Sequence, residues 1–375
     1  MRILVAILLV LIAWPSLLVL FPAPINILWL VKLGVTELGI WLIIPLLGLS
    51  LYLLLGKKYH IFSYIGLIAT IVYLVPTSKA TILSFSLPNQ LEKAYGKILT
   101  IPKFPINFKT LLVGIPTPII NVQTLVYSTI DTTKLTIDLY TDATKGLKPC
   151  IVSVHGGAWS SGDNKTFIDF NKHFADLGYA VADVNYRLAP AAVFPAQEQD
   201  ILHSVQYLKH NAAALQIDTT KIFLLGRSAG GQIAAVAAFH LGKSQIKGLI
   251  CFYTPFDMVW GYSFPGNPLI LDSRKVLRDY LGGSIDDVKP NFYAASPVHQ
   301  VTKDAPPIIM IHGEADEMVA YQHNLRLIYQ IKDKNVPYSL LSLPYATHGC
   351  DYFHNSHSAQ LSTYAIEYFL TRYTH

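Results

Sequence analysis

Charged residues are scarce in this sequence. Asp, Glu, Lys and Arg make up 14% of its 375 residues, whereas an ordinary soluble domain has roughly 25%. The net charge is only +5, the basic residues are scattered, and no nucleic-acid-binding motif is present. These features argue against a nucleic-acid partner.

Cysteine is equally scarce. The three cysteines, Cys150, Cys251 and Cys350, lie far apart and lack the spacing of metal ligands. Cys150 and Cys251 stand beside apolar runs typical of strands, which favours buried free thiols. A disulfide between two of them stays open at this point.

Charge is rarest near the N-terminus. Residues Ile3 to Phe21 form an apolar run broken only by Pro15, Leu38 to Leu55 is a second run without charge, and Ile61 to Val75 is a shorter third. About 20 mostly apolar residues are needed to cross a bilayer as a helix. We therefore predict that residues 1–77 form a membrane segment with two to three transmembrane helices.

Two alternatives compete with this interpretation, namely a buried helical bundle and a cleaved signal peptide. Arg2 before an apolar run fits a signal peptide, but no convincing small-residue cleavage site follows. Between the first two runs, Lys32 and Glu37 interrupt the apolar pattern. We interpret the stretch from Ile25 to Gly34 as a connection at the membrane interface.

Basic residues beside the runs predict the topology. Lys57, Lys58 and His60 lie between the second and third runs, which places that turn in the cytoplasm. The chain is then an integral membrane protein whose remainder, after Val75, is extracytoplasmic. Three lysines that follow the third run weaken this prediction: Lys79, Lys93 and Lys97.

The rest of the chain divides into a linker and a catalytic domain. Residues 78–121 are rich in proline, and we expect a linker that packs on the domain, with a short helix near 89–97. Residues 122–375 begin with two alternating runs, typical of an antiparallel hairpin. Short apolar runs then alternate with helical segments, which predicts an α/β domain with a mostly parallel central sheet flanked by helices.

One pentapeptide has the pattern of a nucleophile. Gly226-Arg227-Ser228-Ala229-Gly230 lies between a predicted strand, 221–225, and a predicted helix that begins at Gly231. A tight strand–turn–helix of this kind exposes the serine hydroxyl, and only glycine fits beside it. An ordinary glycine-rich turn with an incidental serine is the alternative.

A serine needs a base and an acid that orients the base. His348 follows the last predicted strand and precedes the last helix, and Asp316 follows the strand before it. Each of the three residues thus follows a predicted strand, in the chain order Ser228, Asp316, His348. Asp257, after an earlier strand, is a rival acid, or else a loop cap.

Backbone N–H groups can stabilise the charge that develops on an acyl oxygen. Ala229, next to the serine, offers one such donor. Gly156 and Gly157 follow the predicted strand 150–154 and let the backbone approach closely. We predict these three residues as the oxyanion hole, with Ala158 as a possible further donor; an ordinary glycine turn is the alternative.

The motifs together resemble the hormone-sensitive-lipase-like and feruloyl-esterase-like branches of the α/β-hydrolases. The matching pieces are HGGAW at 155–159, NYRLAP at 185–190, Phe194-Pro195-Ala196 with Asp200, GRSAGG at 226–231, HGEAD at 312–316 with Val319, and His348-Gly349. The resemblance covers about two thirds of the chain and implies an α/β-hydrolase fold. It implies the triad Ser228, Asp316 and His348, and an oxyanion hole at Gly156, Gly157 and Ala229. HGGAW in place of HGGG is closer to feruloyl-esterase-like or formamidase-like enzymes.

Two further features are weighed beside the triad. The segment 254–303 is long for a connection and rich in aromatic residues and proline, which suggests a cap-like insertion over a substrate pocket. Histidines gather near the C-terminus, but no acidic pair completes a metal site with them. We expect no metal and no organic cofactor, and we interpret Asp200 as a structural hydrogen-bonding residue.

Three functions remain open at this point. The first is hydrolysis of a carboxylic ester, in a small-molecule or acylated substrate, through a Ser-His-Asp triad and an acyl-enzyme. The second is hydrolysis of an amide, formamide or peptide bond by the same residues. The third is a binding protein on an inactive hydrolase scaffold, which the intact order of the triad disfavours. In each case the lipid bilayer is the expected partner of residues 1–77.

Overall fold

The computed structural model describes residues 1–56, 59–98, 101 and 104–374. Lys57 and Lys58, on which the predicted cytoplasmic turn depends, lie outside these described residues. The N-terminal part is helical. Its elements are α1 (Arg2–Ala13), a short 3-10 turn (Trp14–Ser16), α2 (Leu17–Leu20), α3 (Asn26–Leu38), α4 (Ile40–Leu54) and α5 (His60–Tyr95).

Length and composition make several of these helices candidate membrane spans. In the described part of the chain, Arg2–Leu20 and His60–Tyr95 are each long and apolar enough to cross a bilayer. Helices α3 and α4 meet at an angle of 86° and would count as a third span if they act as one.

Helices α1, α4 and the first half of α5 pack side by side in alternating directions. The Arg2 guanidinium lies against Gly56 at one end. Further along, the Ser63 hydroxyl donates a 2.7 Å hydrogen bond to the Ser50 carbonyl, and Tyr73 donates one of 2.8 Å to the Ile12 carbonyl. These hydrogen bonds hold the three helices as one bundle, because polar groups between apolar helices find few other partners.

The structure differs from the sequence-based expectation at two places in this part. Residues 25–34 were expected to form an interfacial connection, but Asn26–Leu38 is a helix. Its charged residues, Lys32 and Glu37, are buried. Residues 78–95 were assigned to the linker, but they continue α5, which contains Pro76 and Pro88.

The end of α5 is attached to the following domain. The Tyr95 hydroxyl donates a 2.6 Å hydrogen bond to the Ile308 carbonyl of a central strand. Tyr368 of the last helix donates one of the same length to the Gly96 carbonyl. The boundary expected between the membrane segment and the linker, at residues 77 and 78, therefore falls inside one continuous helix.

The remaining described residues form one eight-stranded sheet with helices on both faces. Its strands are β1 (Asn121–Ile130), β2 (Thr133–Thr141), β3 (Lys148–Val154), β4 (Ala180–Val184), β5 (Ile217–Arg227), β6 (Gly248–Phe252), β7 (Ile308–Gly313) and β8 (Tyr338–Leu343). The strand order is β1-β2-β4-β3-β5-β6-β7-β8. Only β1–β2 and β2–β4 pair antiparallel. The predicted mostly parallel sheet with an antiparallel hairpin at its edge is confirmed.

Helices alternate with these strands. They are α6 (Phe108–Val113), α7 (Ile168–Asp176), α8 (Ala196–His210), α9 (Ala212–Leu215), α10 (Ala229–Leu241), α11 (Met258–Ser263), α12 (Ser273–Leu281), α13 (Lys289–Ala294), α14 (Pro297–Gln300), α15 (Gln322–Lys332) and α16 (His357–Thr374). Helices α11 to α14 occupy the segment 254–303, which was predicted to be a cap-like insertion.

The sheet separates two apolar cores, because neighbouring residues of a strand point to opposite faces. In β3, Cys150 and Val152 pack on the face covered by α8 and α10. Ile151 packs on the other face with α16 and the end of α5. Cys150 and Cys251 are buried free thiols, as expected, and so is Cys350. The parallel strands end at one common edge, where the loops after them meet.

Candidate active site

The turn between β5 and α10 holds Ser228 in a strained conformation. Its backbone has φ 53° and ψ −121°, a combination that residues other than glycine rarely adopt. A Cβ added to Gly226 would lie 2.3 Å from the Gly230 carbonyl oxygen, and one on Gly230 would lie 2.2 Å from that of His155. Both positions therefore require glycine, which agrees with the pattern found in the sequence.

The three residues predicted as a triad are together in the structure. His348 Nε2 lies 2.9 Å from Ser228 Oγ, and His348 Nδ1 lies 2.8 Å from Asp316 Oδ2. Because a carboxylate only accepts hydrogen bonds, Nδ1 carries the proton and Nε2 is free to accept from the serine. The arrangement is that of a nucleophile, its base and the acid that orients the base.

The Asp316 carboxylate is buried and held by several donors. Its Oδ1 accepts hydrogen bonds of 2.9 Å from the N–H groups of Met318 and Val319. Burial opposes its ionisation, but the adjacent His348 and His312 outweigh burial and lower the pKa of Asp316 below its ordinary value. Asp316 is therefore a carboxylate throughout the neutral pH range.

His312, four residues before Asp316, is fixed by its own partners. The Asn324 side-chain amide donates to His312 Nδ1 at 2.7 Å, so the other ring nitrogen carries the proton. That nitrogen, Nε2, lies 2.9 Å from the Val319 carbonyl and 3.1 Å from Asp316 Oδ2. His312 thus braces the loop that carries the acid. Sequence analysis placed it in a matching motif but gave it no role.

Asp257, the rival acid, has a different role in the structure. Its Oδ1 accepts a 2.8 Å hydrogen bond from the Trp260 N–H at the start of α11, and its Oδ2 forms a 2.7 Å ion pair with Arg326. This is the loop cap that sequence analysis gave as the alternative. Asp200 likewise binds the backbone and guanidinium of Arg187, as a structural residue would.

The loop after β3 lies against the nucleophile. A Cβ on Gly156 would lie 3.3 Å from that of Ser228, and Gly157 has φ 120°. Within residues 104–374, the N–H groups of Gly156, Gly157, Ala158 and Ala229 have no hydrogen-bond acceptor. Unpaired donors beside the serine are what an oxyanion would need.

Side chains beneath this loop hold it in place. The Trp159 indole donates a 2.8 Å hydrogen bond to Gln232 Oε1 and stacks on Tyr280 at 4.5 Å between ring centroids. Tyr280 donates to the same oxygen at 3.0 Å. The Tyr186 hydroxyl donates to the His155 carbonyl, also at 3.0 Å. The loop is therefore fixed before any substrate arrives.

Arg227, the residue before the nucleophile, forms a buried polar cluster that sequence analysis missed. Its Nε lies 2.6 Å from Asp351 Oδ2, and the Tyr253 hydroxyl donates a 2.7 Å hydrogen bond to Asp351 Oδ1. The Tyr253 ring lies 4.4 Å from that of His348. A charged residue between Gly226 and Ser228 was the available signal, because a buried arginine needs a carboxylate partner.

Helix α3 and the segment before it reach this site. Glu317, next to Asp316, forms an ion pair with Lys32 and accepts a 2.9 Å hydrogen bond from the Ala23 N–H. The Trp29 indole donates a 3.2 Å hydrogen bond to the hydroxyl of Thr347, the residue before His348. Helix α3 therefore contacts both loops that carry the partners of the serine.

Two hollows meet at Ser228. The first, called here the apolar cavity, has a volume of about 260 Å³ and extends under the 254–303 segment. The second, of about 340 Å³, lies beside Gly156, Gly157 and His348. Four residues line both: Ala158, Ser228, Leu271 and Met318. The two groups on either side of a scissile bond at Ser228 would have one cavity each.

Known proteins resemble this chain in sequence. The family model described as BD-FAE matches residues 137–331, more than half of the chain. A probable carboxylic ester hydrolase of Mycobacterium tuberculosis, LipM, is 25% identical over 240 residues, which are 60% of this chain and 54% of that protein. The isoprenylcysteine alpha-carbonyl methylesterase ICME of Arabidopsis thaliana is 29% identical over 199 residues, 48% of this chain and 45% of the plant protein. The chain thus spans about half the length of the curated relatives it matches.

Solved structures resemble it as well. A thermophilic esterase of Thermogutta terrifontis, Est2, superimposes with a TM-score of 0.52 at 25% identity, over 61% of this chain and 84% of its own. A structure titled bacterial heroin esterase gives a TM-score of 0.61 at 22% identity, over 71% of this chain and 88% of its own. These likenesses confirm the α/β-hydrolase fold.

Proposed function

Because this chain belongs to the BD-FAE family, we propose that it hydrolyses carboxylic esters through an acyl-enzyme on Ser228. The observation that carries the proposal is the unbroken line of hydrogen bonds from Ser228 through His348 to Asp316. The names of relatives such as LipM and LipQ, both ester hydrolases or esterases, support the same reaction class.

Acylation begins at the serine hydroxyl. Ser228 Oγ forms a bond to the acyl carbon while His348 Nε2 takes its proton, and the negative charge moves to the acyl oxygen. The N–H groups of Gly156, Gly157 and Ala229 stabilise that oxygen, with Ala158 as a further donor. The bond to the alcohol oxygen then breaks, and His348 gives its proton to the leaving alcohol.

Deacylation repeats these steps with water. His348 takes a proton from a water molecule, whose oxygen bonds to the acyl carbon and displaces Ser228 Oγ. The serine regains its proton from His348 and the acid product leaves. Asp316 stabilises the charged imidazole in both half-reactions and keeps its Nδ1 protonated, which is why its own carboxylate must stay ionised.

A labelling experiment tests the nucleophile. We expect the full-length protein to react with a fluorophosphonate at Ser228 and to hydrolyse short p-nitrophenyl esters. Ser228→Ala should lose both, whereas Ser86→Ala, which replaces an exposed serine of α5, should keep both. Rates on matched ester and formamide substrates assign the bond class. Labelling at another residue, or equal labelling of the Ser228→Ala protein, would exclude the proposal.

We also propose that residues 1–77 anchor the protein in a bilayer through two to three transmembrane helices, with the catalytic domain, 122–375, outside the cytoplasm. The apolar stretch Arg2–Leu20 supports an anchor. Cysteines introduced one at a time at the exposed positions Leu55 and Leu147 test the topology with an impermeant maleimide, because the three native thiols are buried. In intact cells it should label Leu147→Cys, and it should label Leu55→Cys only after permeabilisation. The reverse pattern would overturn the orientation.

A further inference from the structure

One wall of the apolar cavity is also the surface on which the N-terminal segment docks. Phe264, Gly266 and Leu271 line the cavity. On the other side of the same stretch, the Asn26 N–H donates a 3.0 Å hydrogen bond to the Leu269 carbonyl. The Asn267 side chain donates one of 2.9 Å to the Pro24 carbonyl. The cavity wall is therefore hydrogen-bonded to the connection between the first apolar stretch and α3.

Large apolar side chains are exposed along this junction. Phe21 directly follows the apolar stretch Arg2–Leu20 and is 60% exposed. Phe264 and Leu269, on the cavity side, are 65% and 66% exposed. Large exposed apolar side chains near one another mark surfaces that contact a protein, a ligand or a membrane. Because these side chains adjoin the proposed membrane anchor, the contact here is with the bilayer.

The cavity itself selects a neutral, apolar group. Among its described lining residues there is no lysine or arginine that could bind an anionic headgroup. Its acidic residues are already paired: Asp257 with Arg326, Asp316 with His348 and Glu317 with Lys32. Most of the remaining lining is aliphatic or aromatic.

We propose that the substrate is a neutral, lipid-soluble ester that enters the apolar cavity directly from the bilayer, past Phe21, Phe264 and Leu269. Its apolar chain fills the cavity, and its ester carbon meets Ser228 at the inner end. This inference rests on the proposed ester hydrolysis and adds the substrate class and the route. The apolar chain need not cross water, so the cost of exposing it does not arise on binding.

Proteoliposomes test the route. The full-length protein is reconstituted in phosphatidylcholine vesicles with long-chain 4-methylumbelliferyl palmitate in the same bilayer, and the water-soluble acetate ester serves as reference. Added phosphatidylcholine dilutes the palmitate ester within the bilayer. If the substrate enters from the bilayer, the rate of palmitate hydrolysis should fall in proportion to the mole fraction of the palmitate ester. When the palmitate ester is instead placed in separate, protein-free vesicles that are mixed with the proteoliposomes, its hydrolysis should be far slower.

The two proposals fail differently in this experiment. Two outcomes would overturn the bilayer route and leave the esterase proposal intact. One is hydrolysis of the acetate ester without hydrolysis of the palmitate ester in the bilayer. The other is a rate of palmitate hydrolysis that does not change with the mole fraction of the palmitate ester. Loss of both reactions, with no labelling of Ser228 by a fluorophosphonate, would overturn the esterase itself.

Variants at the junction add a second measurement. Leu269→Ser should lower the ratio of palmitate to acetate hydrolysis about tenfold, the scale of one lost apolar contact. Phe21→Ser, on the helix side, should lower the ratio in the same direction. Leu147→Ser is the matched control, because Leu147 is 67% exposed and precedes β3 at the opposite edge of the sheet. An unchanged ratio in both junction variants, or an equal fall in the control, would contradict the route.

Discussion

Lys32 of helix α3 forms an ion pair with Glu317, the residue that follows Asp316 in the chain. Both side chains are largely buried, and the same Glu317 oxygen also accepts from the Ala23 N–H. The N-terminal helices and the loop of the triad's acid therefore share one buried contact. Its strength should be measurable both as stability and as catalysis.

Replacing Lys32 by methionine should be destabilising, because it leaves the buried Glu317 carboxylate without a counter-charge. Loss of one partner of a buried ion pair costs about 3–5 kcal/mol. A displaced Asp316 loop should also lower kcat on a soluble ester, by up to about 10²-fold for a shift near 1 Å. Thermal unfolding in detergent and p-nitrophenyl acetate kinetics measure the two effects.

A double-mutant cycle separates the pair from its surroundings. Glu317→Gln removes the charge that Lys32→Met leaves unpaired, so the double variant should be more stable than Lys32→Met alone. If the two changes are simply additive, the ion pair does not couple the helix to the loop.

The two candidate acids should respond differently to the same substitution. Asp316→Asn should lower kcat by about 10⁴-fold, because an amide no longer holds His348 in the required tautomer. Asp257→Asn keeps an oxygen that can cap α11 but removes the charge partner of the partly exposed Arg326, and should mainly lower stability, by up to about 1 kcal/mol. Steady-state kinetics and thermal unfolding of both variants measure these effects. A larger loss of kcat in Asp257→Asn than in Asp316→Asn would make Asp257 the acid of the site.

The nucleophile turn should not tolerate a methyl group. In Gly230→Ala the new Cβ would meet the His155 carbonyl oxygen at 2.2 Å, so either the turn or the loop after β3 must move. We expect a loss of more than about 3 kcal/mol or failure to fold. Gly283→Ala is the control, because a Cβ there makes ordinary contacts with Asp287 and Val288. Equal thermal stability of the two variants would refute this account.

Stability should depend on pH through His323. Burial, and then the nearby His312, lower the pKa of His323 to about 3, against about 6.5 in an unfolded chain. Between those values the unfolded state binds the extra proton, so this stabilisation is complete above pH 6.5 and is lost as the pH falls toward 3.

The test compares thermal unfolding at pH 7 and pH 4.5. His323→Gln keeps an acceptor for the Asp257 N–H, which His323 Nδ1 binds at 3.2 Å, and should show a smaller fall in Tm than the unsubstituted chain. The control is His299→Gln, because His299 is exposed. If the Tm of His323→Gln falls between pH 7 and pH 4.5 as much as that of the control, His323 is not the cause of the pH dependence.

Much of the candidate site could be predicted because its residues stand in short motifs directly after strands. Once β5, β7 and β8 are parallel, Ser228, Asp316 and His348 must meet at one edge, whatever their separation in sequence. The short motifs after these strands were therefore enough to predict that the three distant residues lie together. The glycines around Ser228 could be predicted from the motif. Gly226 is constrained by a close backbone contact within the turn, and Gly230 by the His155 carbonyl of the loop after β3.

The contacts of the N-terminal helices could not be predicted in this way. Lys32 and Glu317 are 285 residues apart, and Trp29 and Thr347 are 318 apart. No periodicity connects such pairs. Two charges in an otherwise apolar stretch indicated an irregularity, but their partners are fixed only by tertiary packing. The length of α5 was underestimated because proline usually ends or kinks a helix, whereas α5 continues through Pro76 and Pro88.

The separation of Lys32 and Glu317 also has a consequence for biosynthesis. Translation adds about 5–20 residues per second, so the ammonium group is made roughly 15–60 s before the carboxylate that neutralises it. During that interval helix α3 cannot complete its docking. The residues of the loops that carry Asp316 and His348 are made after α3, so a chain truncated before them contains Ser228 without either of its hydrogen-bonded partners.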